Sequence, residues 1–214
     1  MRSASARAAS RRVPTSVKAT LAAVALAIPL WWLADRHDRV TNQDRMAAIA
    51  SDIAGRPVKV RCPGLLWRTI GYDMWAGSVR VDAEGHPAND TRLSKQTCAE
   101  IDAIAEGRRK TQLACAARSS SCGDDVLAVA WAVDTLTHES IHLRGIVDEG
   151  ETECISVQLM AGTAQRLGAT PDQAQNLAAL MFAAGFPEMP DQYREPDCAD
   201  GRPRDLRPAD PVWP

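Results

Sequence analysis

Several large classes of protein are excluded by what this sequence lacks. It has no internal repeat, no collagen period and no heptad period, which excludes fibrous and coiled-coil architectures. Its 45% hydrophobic residues are too many for a disordered chain. Residues 1–18 hold five of the 25 basic side chains, so the remainder carries 20 basic against all 27 acidic residues, a net charge of −7. We therefore expect no nucleic-acid partner, because phosphate binding needs a basic face.

The first 18 residues contain no acidic side chain. They precede an uncharged apolar segment, 19–34, which has Trp31 and Trp32 near its end. A basic stretch followed by an apolar one is typical of a secretory signal or a membrane anchor, and paired tryptophans suit a membrane interface. We predict a basic cytoplasmic leader over 1–18 and a membrane anchor (an N-terminal transmembrane helix) or a cleaved signal over 19–34. Both alternatives place the rest of the chain outside the cytoplasm, either membrane-anchored or secreted.

No cysteine precedes the apolar segment, and no C-x-x-C pair occurs anywhere. The absence of that pair disfavours a cysteine-type zinc site and a thioredoxin-like redox motif. An even number of cysteines in an exported chain instead predicts a disulfide framework of up to three bridges. The sequence leaves the pairing open, although Cys115–Cys122 is suggested as a local loop closure. The six cysteines are Cys62, Cys98, Cys115, Cys122, Cys154 and Cys198.

The body is predicted to have an α+β fold, with short strands first and a mainly helical C-terminal half. A linker and helix over 35–56 precede a domain over 57–214. Alternating apolar residues predict strands over 57–62 and 77–82, and the residues 83–90 that follow are turn-like. Helices are indicated by capping residues at their starts or glycines at their ends, with a polar loop between the first two. They are expected over 94–106, 124–144, 149–168 and 171–184.

The most informative segment is an H-E-x-x-H motif, from His138 to His142, within the second of these helices. Residues four apart lie on one face of a helix, so both imidazoles point the same way. Two imidazoles at this spacing can bind one Zn²⁺ ion, and Glu139 projects beside them, where it can act as a general base. The motif predicts a zinc site with His138 and His142 as ligands and Glu139 as the catalytic residue.

This segment resembles the zincins, the zinc metallopeptidases that carry an H-E-x-x-H helix. The resemblance implies a zincin-like fold in which the two histidines bind zinc and Glu139 activates a water molecule on it. In the gluzincin subgroup the third ligand is a glutamate from a following helix, in an E-x-x-x-D or E-x-x-x-E pattern whose second acid supports a histidine. Glu149 and Glu153 match that pattern, which makes the gluzincins the closest subgroup.

The third zinc ligand remains open between three acids. The other zincin subgroup has H-E-x-x-H-x-x-G-x-x-D, and Asp148 occupies its last position. Glu149 and Glu153 lie on the apolar stripe of the predicted helix over 149–168, where a carboxylate must be paired or bound to metal. Asp148 is placed to cap that helix instead. We therefore expect Glu149 first, Glu153 second and Asp148 third, and we count Glu149 and Glu153 as metal-binding candidates.

Two further side chains and one strand are candidates for the same site. Asp134 lies one turn before His138 and is placed to orient its ring, and Tyr193 has the chemistry to polarise a carbonyl oxygen. The resemblance to zincins also implies that the region over 77–95 provides an edge strand along which a substrate is aligned.

These observations lead to two hypotheses. The first is an exported, membrane-anchored zinc-dependent metallohydrolase, most simply a peptidase, which acts on a peptide or protein substrate. The second is a non-catalytic module of the cell envelope that binds a partner and whose metal site is structural or absent. The second hypothesis predicts a closed site with four protein ligands, such as both Glu149 and Glu153 on the ion, whereas the first predicts an open position.

Overall fold

A computed structural model of the chain describes residues 41–64, 75–116, 122–210 and 212–214. The residues from Thr41 to Pro214 form one compact unit. The leader and the membrane anchor or signal predicted over 1–34 lie outside the described residues. Among the helices that are described, none combines the length and the apolar character needed to cross a membrane.

The N-terminal part of the unit consists of a helix and a small sheet. Residues 41–54 are helical (α1). Three strands follow, β1 (Lys59–Arg61), β2 (Gly77–Val81) and β3 (Pro87–Leu93), and the sheet has the order β1-β3-β2. β1 is parallel to β3, whereas β2 is antiparallel to it. Strands were predicted where β1 and β2 lie, so this part of the prediction is confirmed.

The central strand, β3, was not predicted from the sequence. The turn expected over 83–90 is shorter, because the Asp82 carboxylate accepts hydrogen bonds from the backbone N–H groups of Glu84 and His86 and closes the chain there. β3 then begins at Pro87, which is tolerated as the first residue of a strand. Its proline, asparagine and aspartate are unfavourable for strands, and pairing on both sides overrides that preference.

Five further helices follow among the described residues of the unit. Ser94, Asp148 and Thr170 cap helices as their sequence positions predicted, and Gly145 and Gly168 end helices in the left-handed conformation. The predicted polar loop between the first two helices contains a short helix of its own, α3. The five are α2 (Lys95–Ala105), α3 (Lys110–Ala116), α4 (Asp124–Arg144), α5 (Glu149–Leu167) and α6 (Pro171–Leu180), and single turns follow at Met181–Gly185, Phe186–Glu188 and Asp191–Tyr193.

The core is organised around α4, which packs against the sheet and against its neighbours α2 and α5. Its first half buries valines such as Val129 and Val133, whereas its second half buries polar side chains. Several of these polar groups are bonded within the protein, for example the Thr137 hydroxyl, which donates to the Val133 carbonyl oxygen. A central helix that buries polar residues at one end is well suited to hold a reactive site rigidly.

Three disulfides connect these elements. Cys62–Cys98 joins the chain after β1 to α2, Cys115–Cys122 closes the loop after α3, and Cys154–Cys198 joins α5 to the C-terminal tail. The local pair suggested by the sequence, Cys115–Cys122, is therefore present. The mixed α+β fold and the disulfide framework are both confirmed, and three bridges point to an oxidising compartment.

Candidate metal centre

Three side chains converge at the junction of α4 and α5. The Nε2 atoms of His138 and His142 lie 3.1 Å and 3.2 Å from the same carboxylate atom, Oε2 of Glu149. α4 ends at Gly145, whose φ of 108° lets the chain reverse, and Glu149 is the first residue of the returning helix. One potential ligand atom from each of the three residues lies within 4.8 Å of the other two. Two imidazoles and one carboxylate form a donor set that suits Zn²⁺.

The second ring nitrogen of each histidine, Nδ1, is hydrogen-bonded to another group of the protein. His142 Nδ1 donates to the backbone carbonyl oxygen of Ile146 at 2.7 Å, and His138 Nδ1 lies 2.9 Å from Oε2 of Glu153. Partners of this kind fix the orientation and tautomer of a histidine that binds a metal. Both rings are therefore held with Nε2 directed towards Glu149.

The three acids considered as third ligand occupy different positions. Glu149 faces both Nε2 atoms, whereas Glu153 contacts the opposite nitrogen of the His138 ring and lies behind it. Asp148 caps α5, since its carboxylate accepts a hydrogen bond from the backbone N–H of Glu151. Of the two acids counted as metal-binding candidates, only Glu149 joins the histidines, and Glu153 is placed to support His138.

The electrostatics of the site favour a positive charge between the acids. Burial by itself lowers the pKa of His138, but the hydrogen bonds to Glu149 and Glu153 outweigh it and raise that pKa to about 10. The pKa of Glu149 is lowered, first by its hydrogen bond to His138. A proton is held strongly here when no cation is present, and a divalent cation would supply the same compensation.

A second layer of buried polar groups lies behind Glu153. Asp134 on α4 and Glu153 on α5 are both almost fully buried, and the Ser156 hydroxyl donates to Oδ1 of Asp134 at 2.7 Å. Burial and the neighbouring Glu153 charge raise the pKa of Asp134 well above its usual value. A neutral Asp134 can donate to Glu153, whose Oε1 is buried and has no other partner among the described residues. Asp134 would therefore support His138 through Glu153.

Glu139 is buried beside the cluster and faces β2. Its Oε2 has no hydrogen-bond partner among the described residues, and burial raises its pKa to about 7. Gly77 at the start of β2 leaves the space that this side chain occupies, since a Cβ atom at Gly77 would lie 2.6 Å from Cγ of Glu139. A glycine in a strand can mark such a close approach, but no sequence pattern linked Gly77 to Glu139.

The cluster opens into a cleft of about 430 Å³ between β2 and the turn Asp191–Tyr193. The cleft is lined by the three converging side chains, by Glu139 and by Tyr193, whose ring centroid lies 5.8 Å from that of His138. Tyr193 is thus brought to the site, as its chemistry suggested. Trp75 and Met189 also line the space beside Glu139, and no sequence pattern linked Trp75 to the motif.

Comparisons of this chain with protein-family models, with curated proteins and with solved structures found no match. The resemblance to zincins rests on the H-E-x-x-H motif and the acids after it. The geometry of the cluster is a separate observation, and the two agree on His138, His142 and Glu149.

Proposed function

We propose that this protein is an exported zinc-dependent hydrolase that cleaves peptide bonds. The observation that carries the proposal is the convergence of two Nε2 atoms and one carboxylate oxygen on the wall of an open cleft, beside the buried carboxyl of Glu139. His138, His142 and Glu149 would hold the ion, and Glu153 and the Ile146 carbonyl would orient the two rings. When bound, zinc supplies polarisation of a carbonyl oxygen and a lowered pKa of water.

Glu139 is assigned the proton transfers. Its carboxylate would accept a proton from the attacking water and then deliver that proton to the leaving amine. Both roles need the carboxyl group inside the cleft, and Gly77 provides room for it there. Tyr193, in the wall of the same cleft, would donate a hydrogen bond to the substrate carbonyl oxygen.

The substrate would be a polypeptide aligned along β2. Among the described strands, β2 has a neighbour on one side only, and residues 77–79 and Val81 line the cleft. An exposed strand edge binds an extended peptide through backbone hydrogen bonds. The zincin resemblance implies the same alignment.

The proposed location rests on two features. The three disulfides suit an oxidising, extracytoplasmic compartment. The basic leader and the apolar segment over 19–34 would keep the N-terminus in the cytoplasm and the domain outside, as a single-pass membrane protein.

The test is zinc quantification on the purified full-length protein, with the double substitution H138A/H142A as control. We expect one zinc ion per chain in the wild type, none in the control, and peptide cleavage that Glu139→Gln lowers by about 10²–10⁴-fold without loss of zinc. Absence of zinc from the wild type would refute the metal centre. Zinc without any hydrolysis would favour the non-catalytic envelope module.

A further inference from the structure

Arg56 connects the end of α4 to parts of the chain that are distant in sequence. It lies two residues after the end of α1. Its Nε and Nη2 groups both donate to the backbone carbonyl oxygen of Leu143, at 3.2 Å and 2.9 Å. Leu143 directly follows His142, so the guanidinium group is bound to the last turn of α4 beside a proposed zinc ligand.

The same guanidinium group is also bound to the start of β3. Nη2 donates to the carbonyl oxygen of Ala88 at 3.0 Å and to that of Pro87 at 3.4 Å, and Nη1 donates to Oδ1 of Asn89. The backbone N–H of Arg56 donates to the Ser51 carbonyl oxygen in α1 at 3.2 Å. One residue therefore joins α1, the start of β3 and the end of α4.

The acceptors around Arg56 suit a charged, planar group with several donors. All four are neutral oxygens, and three of them are backbone carbonyls. The Leu143 carbonyl is one of the last four in α4, which have no partner within the helix, and the C-terminal end of a helix stabilises a positive charge. A lysine ammonium is a point charge and does not reproduce this set of contacts.

The last turn of α4 carries His142 and its supporting hydrogen bond. His142 Nδ1 donates to the Ile146 carbonyl oxygen just beyond the end of the helix, so an opening of this turn displaces the ring together with its partner. Helix ends open more readily than helix interiors. His138 lies one turn earlier and is supported by Glu153 on another helix. We therefore expect the position of His142 to depend more on the contacts of Arg56 than that of His138 does.

We infer that Arg56 is a positioning residue of the candidate metal centre, which holds the last turn of α4 and with it the His142 ring in the orientation that binds zinc. The inference rests on the metal centre of the proposed function, but it does not need peptide cleavage.

The sign of the effect on zinc binding separates position from charge. A positive group near a divalent cation repels it, so removal of Arg56 would strengthen zinc binding if only its charge mattered. Removal of a group that holds a ligand in place weakens zinc binding instead. The two roles therefore predict opposite changes in the same measurement.

Arg109 offers a matched control near the other end of α4. Its Nε and Nη2 groups donate to the two carboxylate oxygens of Glu100 in α2, and it interacts electrostatically with Asp125 in the first turn of α4. Arg109→Ala thus removes an arginine and its hydrogen bonds from the surroundings of α4 without altering the contacts of the last turn.

The first measurement is the zinc affinity of the full-length protein, by competition with a chelator under conditions where every variant is folded by circular dichroism. We expect Arg56→Ala to weaken zinc binding by about 10-fold, at the lower end of the range for groups that orient metal ligands, and Arg109→Ala to leave it unchanged. Millimolar guanidinium chloride should restore binding to Arg56→Ala, whereas potassium chloride at the same concentration should not. Unchanged or stronger binding in Arg56→Ala, an equal loss in Arg109→Ala, or no recovery with guanidinium would each overturn the assignment.

The second measurement needs neither zinc nor activity. The backbone N–H of Gly145 donates to the His142 carbonyl oxygen at 2.9 Å, so its hydrogen exchange in the zinc-free protein reports opening of the last turn of α4. We expect Arg56→Ala to accelerate this exchange by roughly 10-fold or more and Arg109→Ala to leave it unchanged. Equal exchange in Arg56→Ala and the wild type would overturn the inference even in an active zinc peptidase. Faster exchange with weaker zinc binding, in a protein that cleaves no peptide, would support the role of Arg56 and refute the activity.

Discussion

Each histidine of the candidate metal centre uses both of its ring nitrogens. The two histidines present Nε2 to Glu149 and give Nδ1 to a carbonyl or carboxylate. The sequence identified His138 and His142, because their spacing on one helix gives them a common direction, and Glu139, which projects beside them. It favoured Glu149 over Glu153 without excluding either, since both lie on the same helical stripe. Their different positions depend on how the chain turns between Gly145 and Asp148, which is a tertiary property.

Gly77 provides a test of the close contact between β2 and Glu139. We expect Gly77→Ala to displace the Glu139 side chain and to lower peptidase activity at least 10-fold with zinc retained, because the added Cβ would lie 2.6 Å from Cγ. Gly162→Ala in α5 is the control, since nothing lies within 4 Å of its added Cβ. The control should raise stability by about 0.5–1 kcal/mol, measured by urea unfolding. Full activity of Gly77→Ala would contradict the close packing.

The raised pKa of Glu139 predicts how the stability of the zinc-free protein depends on pH. The carboxyl has a pKa near 4.5 when unfolded and about 7 when buried, so the folded state binds the extra proton between these values. Stability is therefore lost as pH rises through this window, by about 3 kcal/mol between pH 4.5 and pH 8.

Urea unfolding of the zinc-free wild type and of Glu139→Gln across this range measures the effect. The amide does not titrate, and the other groups titrate in both proteins, so the difference in unfolding free energy isolates Glu139. A difference that is constant with pH would show that the Glu139 carboxyl is not desolvated.

At the scale of elements, the capped helices were predictable and the central strand was not. The side chains that cap these helices bond to backbone N–H groups only a few residues away, so the sequence alone places the starts of α2, α5 and α6. The capping residues are Ser94, Asp148 and Thr170. β3 contains residues that disfavour strands, and it forms because β1 and β2 pair with both of its edges. Pairing between distant segments leaves no local signal of this kind.

The raised pKa of Asp134 favours a neutral carboxyl group, which can donate a hydrogen bond to Glu153 behind the candidate metal centre. We expect Asp134→Asn to keep zinc affinity within about threefold, because its amide can donate to Glu153 as the neutral acid does. Asp134→Ala removes the donor and should weaken zinc binding by about 10–100-fold, the usual range for an outer partner of a metal ligand. Competition with a chelator measures both. Equal losses in the two variants would indicate that the negative charge of Asp134, rather than its hydrogen bond, supports the site.

At the scale of the whole molecule, one disulfide restrains a part of the chain that lines the candidate site. Cys154 follows Glu153 directly on α5, and its bridge to Cys198 restrains the C-terminal tail. Met189, Pro190 and Tyr193, which precede Cys198 in the sequence, line the space beside Glu139. The number of cysteines was visible in the sequence, but their pairing followed only from the folded positions. The membrane anchor or signal over 19–34 stays a prediction.

Removal of Cys154–Cys198 by a double alanine substitution should lower the unfolding free energy by about 4 kcal/mol, because it closes a loop with a sequence separation of 44. The shorter Cys115–Cys122 loop, with a separation of 7, should cost about 2 kcal/mol and serves as the control. Urea unfolding measures both. We expect only the first variant to reduce peptide cleavage at saturating zinc, and unchanged cleavage would show that the tail holds its position without the bridge.

The reversal at Gly145 has a consequence for how the site assembles during folding. His138, His142, Glu149 and Glu153 all come from one helical hairpin, so their contacts span at most 15 residues and close early in a folding chain. The parts of the cleft wall that contain Trp75 and Met189 are more than a hundred residues apart in the sequence, so they come together later than the helical hairpin does. On the proposed function, a nascent chain would therefore bind its zinc before it has a cleft that could hold a substrate.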